Sequence, residues 1–279
     1  MEERNDQGRL LVAEDLSAIG SISLQAALPL FQAAGVPTAI LPTSILSTQG
    51  EGFGQPVVAS GINDWVRAAL KHWQRAEVEF SGCLIGYYNQ REIGDQLDNY
   101  LAQNKLDYVV VDPAFADQGK PYSLQGRKHI KSLLPLLARA NYSTPNLTEA
   151  CLLTGRPQFD GEPDSAQLTS LLEAYNDLLA PGGQAVITGI VSHNQIGSVW
   201  LKDGQLETTG GSLLDGHFFG SGDVFAAVLT IMLWQGQSFD QAARIATDLT
   251  HRCLAETQES GRKRRYGLMV SSIIKYLQK

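Results

Sequence analysis

The stretch that decides the fold is Gly216-His217-Phe218-Phe219-Gly220-Ser221-Gly222-Asp223, which runs directly into Val224-Phe225-Ala226-Ala227-Val228-Leu229. The glycines of its first half do not favour regular structure, because their backbone is too free. The second half is apolar and predicts a helix, with one face formed by Phe225, Val228, Leu229 and Met232. A glycine-rich loop that enters a helix places free backbone N–H groups at the positive end of the helix dipole. Such an arrangement is suited to binding an anion such as a phosphate group.

Asp223 falls in the first turn of this predicted helix. A carboxylate beside an anion site suits a phosphotransferase, in which it accepts the proton of the attacking hydroxyl group. Aspartate is also an ordinary helix-start residue, because it caps free N–H groups and complements the dipole. From this stretch alone, the catalytic and the structural interpretation both stay open.

The composition is typical of a globular protein with a sizeable core. Of the 279 residues, 43% are hydrophobic and 18% are charged. The net charge of −7 argues against a nucleic-acid partner. The basic run Arg262-Lys263-Arg264-Arg265 is typical of a solvated loop or helix end, with contact to nucleotide phosphates as the alternative. Since no apolar run approaches the roughly 20 residues of a membrane span, we expect no membrane partner.

The cysteines indicate a reducing compartment. Cys83, Cys151 and Cys253 are odd in number, far apart and in apolar surroundings, which argues against a disulfide framework. No metal-ligand spacing joins them to the five histidines. Because the N-terminus also lacks the pattern of a signal peptide, we expect a cytoplasmic protein.

Short strand-like runs alternate with longer runs of helical spacing along the chain. The strand-like runs are residues 9–13, 38–41, 83–86, 108–111, 141–143 and 185–188, and the helical runs are 24–34, 62–73, 93–103, 130–138, 147–153 and 168–179. This alternation predicts an α/β fold, a three-layer α/β/α sandwich with a mainly parallel central sheet. Residues 196–201 and 206–208 predict a hairpin.

We expect residues 1–279 to form a single domain with a small flap at about residues 47–60. That segment carries Gly50, Gly52 and Gly54 and then a short strand-like run, which predicts a mobile flap with a short strand. The glycine pattern does not open a helix, so it is not a dinucleotide fingerprint. The sequence also lacks a Walker A motif, so ATP would have to bind by another route.

Several polar residues follow the predicted strands, where ligands gather in sheets of this kind. Asp112 and Asp117 suit Mg²⁺ held through water, and a plain turn is the alternative. Asn146 and Glu149 have the spacing of a capping box, so Glu149 is either a helix cap or a group that reaches Mg²⁺ through water. Thr188 ends a buried strand, where its hydroxyl suits a phosphate oxygen, although threonine is common in strands.

Together these segments resemble the ribokinase-like superfamily and, within it, the pyridoxal (vitamin B6) kinases. The resemblance extends from about Leu11 to the helix after Asp223. The motifs that carry it are Val111-Asp112-Pro113, Asp117-Gln118-Gly119-Lys120-Pro121-Tyr122, Thr144-Pro145-Asn146 with Glu149, Val186-Ile187-Thr188-Gly189 and Gly220-Ser221-Gly222-Asp223. It implies a central sheet flanked by helices, a small flap over the substrate and ATP-dependent phosphorylation of a hydroxymethyl group, often by a homodimer.

The resemblance implies a role for each matching residue. Asp223 becomes the catalytic base, and the anion hole is formed by the backbone of Gly220, Ser221 and Gly222. The metal-facing residues are Asp112 and Glu149, and the residues that approach the ATP phosphates are Asn146, Glu149 and Thr188. On the substrate side, Asp15 or Ser17 meets the pyridine ring of the B6 vitamer, and Tyr87 with Thr43 or Thr48 lines the same pocket. The need for a monovalent cation besides Mg²⁺ is left open.

Two departures from the family pattern matter. Ser221 stands where the family usually has threonine, but its backbone N–H is unchanged. The segment 14–20 resembles the start neither of the pyridoxal kinases nor of the hydroxymethylpyrimidine kinases, so the preference among pyridoxal, pyridoxine and pyridoxamine stays open.

Two alternative functions also stay open. One is a hydroxymethylpyrimidine (phosphate) kinase of thiamine synthesis, whose members resemble this chain but usually carry cysteine where Asp223 stands. The other is a non-catalytic vitamer-binding protein with the same fold. The carboxylate of Asp223 favours the B6 kinase over the first alternative, whose members usually have cysteine there. It also favours the B6 kinase over the second, because a binding protein needs no base.

Overall fold

The computed structural model describes residues 8–50, 52–122 and 127–278, with residues 127 and 128 described by their backbone alone. Its strands in chain order are β1 (Arg9–Ser17), β2 (Thr38–Leu46), β3 (Phe80–Ile85), β4 (Tyr108–Val111), β5 (Ala116–Asp117), β6 (Lys120–Pro121), β7 (Tyr142–Ser143), β8 (Gln184–Ser192), β9 (Gln195–Lys202) and β10 (Gln205–Ser212). Eight of them form one sheet in the order β10-β9-β8-β7-β4-β3-β1-β2, and β5 pairs with β6 in a separate hairpin.

The central sheet is mainly parallel, as the alternation of strands and helices predicts. Within the eight-stranded sheet, β8, β7, β4, β3, β1 and β2 lie next to one another in that order, and each neighbouring pair among them is parallel. The strands β9 and β10 add an antiparallel edge, which is the predicted hairpin.

The helices are α1 (Leu24–Ala33), α2 (Ile62–Arg75), α3 (Arg91–Gln103), α4 (Arg127–Leu137), α5 (Leu147–Thr154), α6 (Ser165–Asn176), α7 (Ser221–Trp234), α8 (Phe239–Glu259) and α9 (Ser271–Leu277), with a 3₁₀ turn at Arg264–Tyr266. They form a layer on each face of the sheet. One layer contains α2 to α6, and the other contains α1, α7, α8 and α9. The predicted three-layer α/β/α sandwich is therefore confirmed.

Strand β1 shows how the sequence builds two cores at once. Successive side chains of a strand point to opposite faces, so Leu11 and Ala13 pack against one helix layer while Leu10 and Val12 pack against the other. All four are fully buried. A strand covered on both faces is therefore apolar at every position.

Helix α7 is buried more completely than the sequence predicts. The expected apolar face holds Phe225, Val228, Leu229 and Met232, but every residue from Val224 to Met232 is buried. The helix lies against the sheet and contacts both α1 and α8, so it has no side left for solvent.

The sheet topology defines where a ligand is expected to bind. The chain passes from β1 outward to β2 and then returns to β3 on the other side of β1. Ligands in open α/β sheets bind at such a switch point, beyond the carboxyl ends of the strands. This edge carries the ends of β1 and β3, and with them Asp15, Ser17 and Tyr87.

The flap segment extends the sheet edge beside β2. Ser47 N–H donates to the Val57 carbonyl at 2.9 Å, and Ala59 N–H donates to the Ile45 carbonyl at 2.9 Å. The described part of residues 47–60 thus contains a single antiparallel bridge, between Leu46 and Val58, in place of the predicted short strand.

Candidate active site

A cavity of about 550 Å³ opens at the carboxyl edge of the sheet. Most of the predicted site residues line it: Asp15, Ser17, Tyr87, Asp112, Asn146, Glu149, Thr188, Gly220, Ser221, Gly222 and Asp223. Two predicted substrate contacts, Thr43 and Thr48, are not among the residues that line it. Residues far apart in sequence therefore meet at one place, as the strand ends predict.

The glycine-rich loop ends on Gly220, which is the N-cap of α7 and has a left-handed backbone with φ 84°. The first intrahelical hydrogen bond runs from Val224 N–H to the Gly220 carbonyl at 3.1 Å. The N–H groups before it have no acceptor within the helix. Ser221 and Gly222 thus begin α7 at the cavity wall, where these free N–H groups favour an anion.

Asp223 does not cap its own helix. The start of α7 has no side-chain cap. Instead, Asp223 Oδ2 accepts a hydrogen bond of 2.8 Å from the backbone N–H of Ser23, just before α1. Ser23 has φ 48° and ψ −129°, a strained conformation for a residue with a side chain. The simple capping interpretation of Asp223 therefore does not match the geometry.

The cavity wall is strongly acidic. Asp15, Asp112, Asp117, Glu149 and Asp223 line it, while no Lys or Arg does so among the described residues. Burial raises the pKa of Asp223, and the Ser23 N–H opposes this rise. Burial, together with the charges of Glu149 and Asp223, raises the pKa of Asp112 well above its usual range. An anionic nucleotide would need a cation to enter such a cavity.

The predicted capping box at α5 is present. Asn146 Oδ1 accepts from Glu149 N–H at 2.9 Å, and Glu149 Oε2 accepts from Asn146 N–H at 3.0 Å. Glu149 also makes two hydrogen bonds outside the capping box: its Oε1 accepts from Phe115 N–H at 2.8 Å and from Ala116 N–H at 3.3 Å. Glu149 therefore fixes the loop after Asp112 to α5.

These additional contacts distinguish Glu149 from an ordinary capping residue. A glutamine can complete a capping box, as Gln167 does in the same position of α6, where its Oε1 accepts from Asp164 N–H at 2.9 Å. Glu149, however, uses both oxygens against three backbone N–H groups. A glutamine would turn an NH₂ group toward at least one of them, so its substitution costs stability. Burial raises the pKa of Glu149 to about 7, opposed first by the Asn146 N–H.

Asn146 and Thr188 are brought together by backbone pairing just before a bulge in β8. Thr188 N–H donates to the Pro145 carbonyl at 2.9 Å, and Asn146 and Thr188 form a parallel bridge. The β8–β9 register then shifts at Gly189, whose φ is 72°. Both side chains predicted to approach ATP therefore lie side by side at the cavity.

Asp117 is the last residue of β5 and leads into the turn that the sequence offers as its alternative. Gln118 and Gly119, with φ of 49° and 79°, turn the chain between β5 and β6. Asp117 Oδ1 accepts from Gln118 N–H at 2.7 Å. Asp117 also faces the glycine-rich loop, with Oδ2 3.7 Å from His217 Nδ1.

The end of the cavity that is predicted to meet the substrate contains Asp15 and Ser17. Both are buried, and Ser17 Oγ donates to Asp15 Oδ2 at 3.2 Å. Burial raises the pKa of Asp15 to about 7. Both alternatives for the ring contact therefore lie together at the cavity wall.

The two threonines predicted beside them lie elsewhere. Thr43 is fully buried, and its hydroxyl donates to the Tyr87 carbonyl at 2.6 Å, so it supports the wall from behind. Thr48 Oγ1 donates to the Gln49 carbonyl at 3.1 Å, and Gln49 lines the cavity instead.

Sequence reasoning missed one wall of the cavity. Four residues of α8 at helical spacing line it: Thr247, Thr250, His251 and Leu254. Their spacing of three and four residues on one face is a signal that the sequence contains. The strained backbone of Ser23 had no such signal, because serine at this position predicts ordinary backbone.

Comparison with known proteins identifies the chain as a kinase, a phosphotransferase that acts on an alcohol group. The family profile described as phosphomethylpyrimidine kinase matches residues 20–267. The chain belongs to this family.

Its relatives carry two substrate names. The chain is similar to the pyridoxal kinase of Lactobacillus plantarum, with 36% identity, a TM-score of 0.91 and coverage of 97% of this chain and 96% of that one. It is also 28% identical over 239 residues to the hydroxymethylpyrimidine/phosphomethylpyrimidine kinase of Haemophilus influenzae, covering 82% of this chain and 84% of the relative. The pyridoxal kinase of Leishmania donovani in complex with ADP and pyridoxine shares the fold, with 21% identity, a TM-score of 0.85 and coverage of 98% of this chain and 96% of that one.

Among the described residues, no helix is long and apolar enough to span a membrane.

Proposed function

We propose that the protein transfers the γ-phosphoryl group of ATP to the 5′-hydroxymethyl group of a B6 vitamer: pyridoxal, pyridoxine or pyridoxamine. The observation that carries this proposal is the half-buried carboxylate of Asp223 at the cavity wall, held by Ser23 N–H at 2.8 Å beside the N-terminus of α7. A base next to an anion hole is what phosphoryl transfer to an alcohol requires. The sequence identity of 36% to a pyridoxal kinase supports a B6 vitamer as the substrate.

Asp223 acts as the base in this proposal. One of its oxygens is held by Ser23 N–H, which leaves the other for the hydroxyl group of the substrate. The raised pKa of Asp223 makes it a better proton acceptor than an exposed carboxylate. The backbone N–H groups of Gly220, Ser221 and Gly222 stabilise the negative charge that moves during transfer.

The acidic wall fits a divalent cation. Among the described residues, no three His, Cys, Asp or Glu side chains are placed to hold a metal directly. Asp112 and Glu149 therefore fit Mg²⁺ through water, a mode that magnesium favours. When bound, Mg²⁺ would neutralise charge on the ATP phosphates. Asn146 and Thr188, side by side at the cavity, are the residues proposed to contact those phosphates.

We expect Glu149→Gln to lower both stability and metal affinity. The free energy of unfolding is expected to fall by about 1–3 kcal/mol, because one buried N–H group loses its acceptor. The Mg²⁺ concentration for half-maximal turnover is expected to rise, because one negative charge is lost. Thermal unfolding and Mg²⁺ titration of turnover measure the two effects.

Gln167→Ala is the matched control, since it removes a capping-box side chain from α6, away from the cavity. It is expected to lower stability without changing the Mg²⁺ dependence. If Glu149→Gln behaves in the same way, Glu149 is only a structural cap.

The substrate end supports recognition of a nitrogen heterocycle. Asp15 and Ser17 place a carboxylate and a hydroxyl on the buried wall nearest the strand switch point. Both groups suit the ring nitrogen or the phenolic oxygen of a B6 vitamer. Tyr87 lies at the same end, with its carbonyl held by Thr43.

A second candidate function is phosphorylation of hydroxymethylpyrimidine or its phosphate. The family name and the Haemophilus influenzae relative favour it. Both candidates use the same anion hole and a hydroxymethyl group.

The single domain, the homodimer and the cytoplasmic location stay predictions.

An assay of ADP release distinguishes the proposed kinase from a non-catalytic binding protein. Purified protein with Mg-ATP is expected to release ADP in amounts equal to the phosphorylated product, and only when an alcohol acceptor is added. Binding of a vitamer without ADP release would make the protein a non-catalytic binder. A control without acceptor measures background hydrolysis.

A further inference from the structure

The basic run at residues 262–265 does not contact the cavity. None of its four side chains lines the cavity wall. Two of its arginines instead lie against aromatic rings, Arg264 over Phe218 of the glycine-rich loop and Arg265 over Phe53 of the flap. Lys263 is exposed, as expected for a solvated loop, whereas Arg264 and Arg265 are half-buried beside these rings.

Arg264 holds the loop that carries the anion hole. Its guanidinium group lies over the ring of Phe218, 4.0 Å from the centroid. It also covers Gly216, where an added Cβ would collide with Arg264 Nη1. Phe218 lies two residues before Gly220, and its carbonyl faces Ser221 Oγ at 3.4 Å. The position of Arg264 is thus connected to the start of α7.

Arg265 holds the flap. Its Nη1 donates to the Gly52 carbonyl at 3.3 Å, and its guanidinium group lies 4.7 Å from the ring centroid of Phe53. The Arg265 carbonyl in turn accepts from Gln49 Nε2 at 2.9 Å. Phe53 also packs edge-on against Tyr266, with centroids 5.4 Å apart.

The 3₁₀ turn Arg264–Tyr266 is itself fixed to the base side of the cavity. The Tyr266 carbonyl accepts from Ser21 N–H at 2.9 Å and from Arg262 Nη2 at 2.7 Å. The Ser21 carbonyl lies against Gly220, and two residues later Ser23 holds Asp223. One turn of chain therefore contacts the flap, the glycine-rich loop and the segment that orients Asp223.

We propose that Arg264 and Arg265 are positioning residues of the kinase, with Arg264 fixing the anion-hole loop and Arg265 fixing the flap. Because both belong to one turn, the glycine-rich loop and the flap are held by the same short segment. The kinetic part of this inference rests on the proposed function. Arg265 acts on the substrate end, where Gln49 lines the cavity, and Arg264 acts on the transfer step.

Three variants that each remove one positive charge test the inference: Arg264→Gln, Arg265→Gln and Lys263→Gln. The Lys263 side chain is exposed, and the described residues offer it no partner, so it is the matched control. Arg264→Gln is expected to lower kcat about tenfold with little change in the KM of the acceptor. Arg265→Gln is expected to raise that KM about tenfold with little change in kcat. Lys263→Gln is expected to change neither.

A second measurement does not need turnover. Limited chymotrypsin digestion of Arg265→Gln is expected to cleave faster at Phe53, and that of Arg264→Gln faster at Phe218 or Phe219. Lys263→Gln is expected to match the unmodified protein.

Unchanged digestion of both arginine variants would overturn the inference. So would equal kinetic effects of all three variants, which would indicate a general charge effect. If the protein phosphorylates no alcohol but the digestion pattern appears, the proposed function fails while the fixing of the glycine-rich loop and the flap stands.

Discussion

Asp223→Asn is expected to lower kcat by about 10²–10⁴-fold, the usual contribution of general-base catalysis. Asparagine has nearly the same shape, and its Oδ1 can accept the Ser23 N–H that now bonds to Asp223. It cannot take the proton of the attacking hydroxyl group. Because Asp223 makes no cap at α7, the melting temperature and the KM for ATP are expected to change little.

The chain contains a matched control for this substitution. Asp64 occupies the third residue of α2 after a left-handed Gly61, as Asp223 does in α7 after Gly220. Asp64 lies on the surface, paired with Arg67. Asp64→Asn is expected to leave turnover unchanged. If Asp223→Asn keeps more than about a third of the turnover, Asp223 is not the base.

Gly220→Ala is the second substitution with a large expected effect. Gly220 has φ 84°, and an added Cβ would come 2.8 Å from the Ser21 carbonyl. The backbone at the start of α7 has to shift, which moves the N–H groups of the anion hole. Loss of one such donor costs about 10²–10³-fold in kcat, and we expect a loss of that order.

Gly61→Ala separates this effect from simple strain. Gly61 is also a left-handed N-cap, with φ 80°, but an added Cβ meets nothing within 4 Å. Both variants are expected to lose about 1–2 kcal/mol of stability from the left-handed conformation. Only Gly220→Ala is expected to lose turnover. Equal turnover in the two variants, measured well below their melting temperatures, would show that the α7 terminus does not act on the reaction.

The fold could be predicted from the sequence because its signals are local and repeated. Apolar runs such as residues 108–111 alternate with helical runs, and β-α-β units then place the strand ends together. Asp112 follows β4, Asn146 and Glu149 follow β7, and Thr188 lies in β8 just before its bulge rather than at the predicted strand end. Their meeting at one cavity therefore follows from topology.

The rest of the site depends on contacts between distant segments. The bond from Ser23 to Asp223 joins residues 200 positions apart, and its strained donor has no sequence signature. The Glu149 carboxylate accepts hydrogen bonds from three backbone N–H groups because the loop after Asp112 folds onto α5. A capping-box pattern in the sequence does not reveal this contact. The roles of Arg264 and Arg265 depend on aromatic partners in the glycine-rich loop and the flap.

The central claim is that the cavity selects a B6 vitamer as the alcohol. An internal competition tests it most directly: pyridoxal, pyridoxine, pyridoxamine and hydroxymethylpyrimidine are mixed at equal concentration with Mg-ATP and the protein. Mass spectrometry of the early products then gives the ratios of kcat/KM in one tube. We expect the phosphate ester of at least one B6 vitamer to form faster than that of the pyrimidine. Faster formation of the pyrimidine phosphate would contradict the account and assign the protein to the second candidate function.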